Sequence, residues 1–286
     1  MPSVKTSLPR LRRVTIVGVG LLGGSIGLRI KRLDKRIHVA GVGRRRESLD
    51  EAMGLGAIDS AHVGCDGGLG ESDLVILATP VGAFAQHLRA AAPRLRKSAV
   101  VTDVGSTKQA VVAAAQRVLG PAGRFVGSHP MAGSDQRGPA AARADLLEGA
   151  VCIMTPVPAT PPAATRLVRR FWAAMGMRVL TMTPREHDSS VARVSHLPHV
   201  LSALLMLLPQ ADDLRVAASG FRDMTRLAGG DVEMWRDILL TNRREILAAI
   251  DGFDERLMYL RDLVETADAD GIAQLLSAAR ARRGRA

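Results

Sequence analysis

Apolar residues recur along this chain in two rhythms, and the change between them divides it. Val14-Thr15-Ile16-Val17 is a β-branched run without a polar face, as in a strand buried on both sides of a parallel sheet. Further short runs of this kind occupy 38–42, 73–79, 99–103, 124–127, 151–155 and 178–182. Helical spacing lies between several of them: Ile26, Leu28 and Ile30, then 109–119, and then 165–175 after a connection holding Pro156, Pro158, Pro161 and Pro162. Strands alternating with helices predict an α/β doubly wound parallel sheet with ligands at its carboxyl edge. Beyond Pro184 the strand pattern stops. The stretch 194–208 is apolar around most of a helix, while 237–249 and 255–266 are amphipathic at helical spacing. A region of about 100 residues has little interior in which to hide an all-apolar helix. A subunit interface is its expected destination, which predicts a homodimer built by this all-α half. The expected domains are therefore 12–183 and 184–282.

The first strand runs into Gly18-Val19-Gly20-Leu21-Leu22-Gly23, and Gly24-Ser25 continue into the helical pattern. In a strand-turn-helix setting each glycine has a physical reason: Gly18 permits the tight turn, Gly20 lets a pyrophosphate approach, and Gly23 lets helix and strand pack closely. The helix start, with Leu21 and Leu22, supplies unpaired N–H groups for the phosphates. This is the dinucleotide turn of a Rossmann-type domain. About 20 residues after the third glycine, NAD-binding chains carry an Asp or Glu for the ribose 2′-hydroxyl. Here Gly43 stands at that point, followed by Arg44-Arg45-Arg46. The missing carboxylate removes the repulsion that excludes a 2′-phosphate, and arginine forks suit phosphate. NADP is thus preferred over NAD; the competing reading is a solvated charge run. Thr79-Pro80, at the end of the 73–79 strand, lies where a loop would face the cofactor.

Charge then narrows the choice of partner. The 286 residues hold 39 Lys plus Arg against 28 Asp plus Glu, a net charge of +11. Residues 1–46 carry twelve cations against Asp34 alone, so the remainder is neutral. Nucleic-acid binders usually spread a basic stripe interleaved with stacking aromatics, and here aromatics make up 3%. No nucleic-acid partner is expected; Arg10, Arg12, Arg13, Lys31, Arg32, Lys35 and Arg36 are left as solvated surface. Cys65 and Cys152 have no ligand spacing, so neither a metal site nor a disulfide is expected, and a reducing cytoplasmic location fits. No apolar run reaches the roughly 18 residues of a membrane span. Arg12-Arg13 before an apolar stretch resembles an export signal, but the glycine spacing argues against it.

Of the seven histidines, His38, His62 and His87 sit at a strand start, in a loop and on a helix without polar company, as structural or surface residues do. His129 lies between Gly127-Ser128 and Pro130, where a strand leaves the sheet near the expected nicotinamide. His187, His196 and His199 cluster at the start of the helical half, in Glu186-His187-Asp188 and Ser195-His196-Leu197-Pro198-His199. A neutral imidazole, with a pKa of about 6.5, can take a proton from an alcohol undergoing oxidation.

Seven segments in series, VTIVGVGLLGGS at 14–25, TDVGSTK at 102–108, GSHPMAGSD at 127–135, His187-Asp188, SHLPH at 195–199, GFRDMTR at 220–226 and MWRD at 234–237, resemble the prephenate/arogenate dehydrogenase family of tyrosine biosynthesis. The resemblance implies oxidative decarboxylation of a cyclohexadienol, with hydride lost from the carbon bearing the hydroxyl and CO₂ released as the ring aromatises. It further implies that His129 takes the hydroxyl proton and that Ser106 orients this histidine and the nicotinamide. Arg226 would bind a substrate carboxylate, His196 and His199 would line the substrate pocket, and Asp223 and Trp235 would support it at the dimer interface. The loop Ser134-Asp135-Gln136-Arg137-Gly138 departs from the commoner Thr/Ser-Glu-Lys-Ser-Gly pattern, and such a loop could choose between the keto acid prephenate and the amino acid arogenate. The chain ends without room for a regulatory or mutase domain, so any tyrosine feedback would act at the active site. Two other readings keep the cofactor fold. A β-hydroxy acid or imine reductase would use a Lys in the second half, where none follows Lys108; a non-catalytic NADP-binding regulator would not need His129, Ser106 and Arg226 together.

Overall fold

The computed structural model describes residues 7–64, 67–120, 123–134 and 136–284. Strand β1 (Arg13–Val17) leads through the glycine turn into α1 (Leu21–Leu33), followed by β2 (His38–Gly43), α2 (Arg46–Gly54) and β3 (Ser60–Val63). Then come β4 (Leu74–Leu77), α3 (Phe84–Ala91), β5 (Val100–Asp103), α4 (Gln109–Leu119), β6 (Phe125–Pro130), β7 (Val151–Thr155), α5 (Pro162–Ala174) and β8 (Arg178–Thr181). The eight strands form one sheet in the order β3-β2-β1-β4-β5-β6-β7-β8. The first six run parallel, β7 pairs antiparallel with β6, and β8 is parallel to β7. The expectation of a parallel sheet therefore holds for six strands and is corrected at β7. The described part of the β6–β7 connection holds only the short 3₁₀ turn Pro139–Ala141 and no crossover helix, so the chain returns in the opposite direction.

The pleat divides the core. Val14, Ile16, Leu74 and Ile76 pack on one face with Ile26, Ile30, Phe171 and Trp172; Val17, Val75, Leu77 and Val101 pack on the other with Phe84, Leu88 and Val111. Sequence reading missed β3, whose four residues Ser60-Ala61-His62-Val63 are partly buried or exposed and too few for their alternation to stand out. His62 is therefore in a strand, and it does not lack polar company: Ser60 Oγ lies 2.9 Å from His38 Nε2 and 3.3 Å from His62 Nε2. Several N-terminal cations are not merely solvated. Lys31 reaches back to the Lys35 and Ile37 carbonyls and to Asp59, tying α1 to β2, while Arg13 pairs with Glu71, Arg29 with Glu148 and Arg36 with Asp34. Cys152 is buried with a free thiol, and Cys65 lies outside the described residues.

After β8 the chain is helical. Helix α6 (Pro184–Val191) opens with a capping box, Thr183 accepting from the Glu186 amide while Glu186 accepts from the Thr183 amide. A π-helical turn, Ala192–His196, joins it to α7 (Leu197–Met206). Pro198 has no N–H to give to the preceding turn, which favours the wider turn at this point. Next come α8 (Ser219–Thr225), α9 (Val232–Thr241), α10 (Arg243–Glu265) and α11 (Ala269–Arg283). The two amphipathic segments expected at 237–249 and 255–266 are divided differently: the break falls at Asn242, and α10 runs unbroken through Gly252, a residue that costs a helix only about 1 kcal/mol. Around the apolar 194–208 stretch, Val194, Leu204, Leu207 and Leu208 are exposed in the single chain, as are Leu240, Leu257, Tyr259 and Val264. No helix among the described residues is long and apolar enough to cross a membrane.

Candidate active site

The strand order reverses direction between β1 and β4, so a crevice opens at their carboxyl ends. Gly18 follows β1 at φ +95°, and a Cβ there would stand 2.5 Å from the Ala78 carbonyl oxygen. A Cβ on Gly23 would meet the Gly18 carbonyl at 2.1 Å and Ile16 at 3.0 Å, whereas one on Gly20 would meet nothing within 4 Å. The backbone at Gly20 is thus open to close approach by a ligand. Helix α1 starts there with no side-chain cap and no acid in its first turn, leaving its amides beside Leu21 and Leu22 to bind an anion. Opposite, at the end of β4, Thr79 Oγ1 is buried with no hydrogen-bond partner among the described residues, and Pro80 is exposed. These features fit a dinucleotide.

At the end of β2, Gly43 packs on Leu49, so that a Cβ there would press it at 3.2 Å. Arg44 and Arg45 follow, exposed and without an ion pair among the described residues. Arg46 does not join them. It opens α2 and binds Asp50 one turn on, at 2.9 Å, so unlike Arg44 and Arg45 it has a carboxylate partner among the described residues.

His129 sits at the end of β6, buried, and its main hydrogen bond is not to Ser106. Its Nδ1 lies 2.8 Å from His187 Nε2, and His187 Nδ1 lies 2.7 Å from Asp188 Oδ1. Asp188 also accepts from the amides of Lys108 (2.7 Å) and Gln109 (2.8 Å) at the start of α4. Ser106 is half-buried one turn earlier, after β5, with no hydrogen bond to His129 among the described residues. Beneath lies a fully buried ion pair. Lys108 Nζ binds Asp103, which also accepts from the Gly105 and Ser128 amides and so ties the β5 turn to β6. Burial lowers the pKa of His129 well below its ordinary 6.5, and a charge on His187, Lys108 or His196 lowers it further. Burial likewise lowers His187 despite its bond to Asp188. Burial pushes the Asp188 carboxyl up, but the bonds from His187, Gln109 and Lys108 outweigh it and leave the pKa below the usual value.

The helical half closes over this edge. Thr241 Oγ1 on α9 meets Thr107 Oγ1 at 3.0 Å, and α9 passes so close to the turn after β4 that a Cβ on Gly82 would touch Asp237. Asn242 Nδ2 donates to the Asp188 carbonyl oxygen at 2.9 Å and lies 3.1 Å from His196 Nδ1. A carbonyl can only accept, so this side is the amide nitrogen, and His196 must accept at Nδ1 and carry its proton on Nε2. Burial lowers the His196 pKa to about 4, so it is neutral at pH 7. His199 is stacked on Trp235 with ring centroids 3.5 Å apart, and His196 meets the same indole edge-on at 6.0 Å. Trp235 is half-exposed rather than core, held by the turn that Asp231 caps.

The structure therefore brings His129, His196, His199 and Trp235 to one junction. Arg226 and Asp223 are exposed on the α8 segment, without an ion pair among the described residues. Ser134 is exposed and accepts from the Gln136 amide, and Asp135 lies outside the described residues. Arg137 bridges to Asp231 at 2.5 Å, linking this loop to the cap of α9. Sequence reading missed Asp188, Asn242, Lys108 and Asp103 as parts of the site. For Asp188 the signal was its place beside His187; Asn242 gave none.

Comparison with known proteins agrees along the chain. The family model described as prephenate dehydrogenase, nucleotide-binding domain, matches residues 26–181, and that described as prephenate dehydrogenase, dimerization domain, matches 183–278. A prephenate dehydrogenase of Bacillus subtilis (strain 168) is 37% identical over 276 residues, covering 93% of this chain and 74% of that protein. A cyclohexadienyl dehydrogenase of Zymomonas mobilis is 32% identical over 266 residues, covering 91% and 90%. Among solved structures, prephenate dehydrogenase from A. aeolicus in complex with hydroxyphenyl propionate and NAD+ has a TM-score of 0.90 at 32% identity, covering 97% of this chain and 99% of that one. Synechocystis arogenate dehydrogenase has a TM-score of 0.83 at 28% identity, covering 96% and 99%.

Proposed function

The chain belongs to the prephenate dehydrogenase family, and on that premise we propose that it oxidatively decarboxylates prephenate to 4-hydroxyphenylpyruvate, arogenate to tyrosine, or both, with NADP preferred. The observation that carries the reading is His129. It is a buried neutral imidazole at the carboxyl edge whose Nδ1 is engaged by His187, which leaves Nε2 to act as a base. The bound nicotinamide supplies the hydride acceptor. His129 Nε2 takes the proton of the ring hydroxyl as the carbon bearing it becomes carbonyl-like, and loss of the ring carboxylate as CO₂ restores aromaticity. His196 presents an N–H donor to the substrate. The guanidinium of Arg226 suits bidentate binding of a substrate carboxylate, and Asp223, Ser134 and Asp135 are further candidates for binding the substrate. Trp235 and His199 form an apolar wall that keeps water from the ring. The Gly18-to-Gly23 turn, Thr79-Pro80, Ser106 and Arg44-Arg45 hold the cofactor.

The matched dimerization-domain model and the exposed apolar positions of the helical half support a homodimer formed through that half. The location is cytoplasmic, where the buried Cys152 thiol stays reduced. The test is to offer prephenate and arogenate, each with NAD and with NADP, and to follow reduced nicotinamide by its absorbance. Turnover fastest with NADP and one or both substrates is the expected result; no turnover with any of the four pairs would refute the proposal.

A further inference from the structure

We propose that His187 and Asp188 are positioning residues that lock His129 in the one tautomer able to act as a base and steady the positive charge it acquires. The inference rests on the reading of His129 as that base.

The direction of every bond follows from its far end. The Asp188 carboxylate receives the Lys108 and Gln109 amides and His187 Nδ1, all within 2.8 Å. An ionised carboxylate only accepts, so His187 carries its proton on Nδ1. Neutral His187 then has a lone pair on Nε2, and at 2.8 Å it can only receive the proton on His129 Nδ1. His129 is left with its lone pair on Nε2, where a hydroxyl proton has to go. In the other tautomer two lone pairs would face each other at 2.8 Å in a buried site and Nε2 would already be occupied.

The same bonds act after proton transfer. Cationic His129 turns its bond to His187 into a charge-assisted one, and the Asp188 charge, held by the positive end of α4, polarises the far side of His187. The other groups facing His129 are Lys108, whose charge Asp103 matches, and His196; those facing His187 are Asp188, Lys108 and Asp103. Asp188 is thus the carboxylate in this cluster not matched by a lysine, free to balance a cation on the histidines.

Three variants test this: His187→Leu, His187→Gln and His129→Asn, each measured for kcat, KM, the pH profile of kcat/KM, and cofactor affinity by fluorescence titration of reduced nicotinamide. Leucine removes the acceptor, and kcat should fall roughly 10- to 100-fold, the worth of a hydrogen bond to a charged group, with substrate KM and cofactor affinity little changed. The acid limb should also move to lower pH, because the His129 cation has lost its support. Glutamine offers an Oε1 acceptor to His129 Nδ1 and should restore most of kcat and the position of the limb. A kcat for His187→Leu within about threefold of wild type would overturn the proposal, because a lost bond of this kind is worth more than that. If His187→Leu no longer binds cofactor, His187→Gln decides: a loss as deep as that of His129→Asn, with cofactor affinity intact, would overturn it. An unchanged rate in His129→Asn would instead remove the base assignment. A dead His129→Asn beside an active His187→Leu would remove only the positioning role.

Discussion

A histidine buried deeply enough to have its pKa pulled far down is a weak base, yet it suits this reaction. Its burial and the nearby Lys108 charge oppose the cation, so His129 stays unprotonated at neutral pH. Weak basicity is tolerable because aromatisation drives the step and the base only has to receive a proton already leaving. The sign of the pH dependence follows: activity needs neutral His129, which exists above its pKa. The kcat/KM of the wild-type enzyme should therefore stay level through neutrality and fall only well below pH 6.5. An acid limb with its midpoint above that value would show that another group controls turnover. Replacing the ring altogether, His129→Asn, should cost on the order of 10²-fold or more in kcat, the usual contribution of a general base. The measurement is a steady-state comparison with cofactor affinity as the control for folding.

At the scale of elements, the proposed preference for NADP rests on the turn between β2 and α2. Arg46 is held by Asp50, whereas Arg44 and Arg45 have no ion pair among the described residues and stand at the strand end, beside a glycine where a ribose-binding carboxylate would otherwise stand. Arg44→Asp with Arg45→Ala should lower the NADP-to-NAD ratio of kcat/KM by at least about tenfold, since a charge-assisted phosphate contact becomes a repulsion. Arg46→Ala should leave the ratio close to wild type. A ratio unmoved by the double change would discard the arginine argument. The same turn shows what could be read in advance. The glycine turn and β1 were legible because buried parallel strands and φ-positive turns restrict residue choice tightly, as at Gly18 and Gly23. Strand β3 was not, because an edge strand with a half-buried Ser-Ala-His-Val carries no such restriction. The histidines of the helical half were legible as a cluster. Their roles were not, because tautomers belong to a network: Asp188 and Asn242 are 54 residues apart, and the Lys108 amide that holds Asp188 is 80 residues away from it.

At the scale of the molecule, the charge and the apolar surface have different destinations. Among the described residues, Arg13, Arg29, Lys31 and Arg46 pair with Glu71, Glu148, Asp59 and Asp50 beyond the first 46 residues, and Arg36 pairs with Asp34, so part of the cationic excess is matched within the chain. The apolar excess of the helical half has no such outlet within one chain. Leu208 is 76% exposed, just past the end of α7, which carries His199, and Leu240 is 67% exposed on α9, which carries Trp235. In a monomer, an Asp at either position would sit in water and change stability by about 0.5 kcal/mol or less. Across a dimer interface the same carboxylate would be buried without a partner at a cost of several kcal/mol. Leu208→Asp with Leu240→Asp should therefore shift the protein from dimer to monomer in sedimentation velocity while leaving its helical circular dichroism intact. Because Arg226 and Asp223 stand exposed in the single chain, this variant should also lose more in substrate KM than in cofactor affinity. A wild type that sediments as a monomer at micromolar concentration, or a double variant that remains a dimer, would place the interface elsewhere.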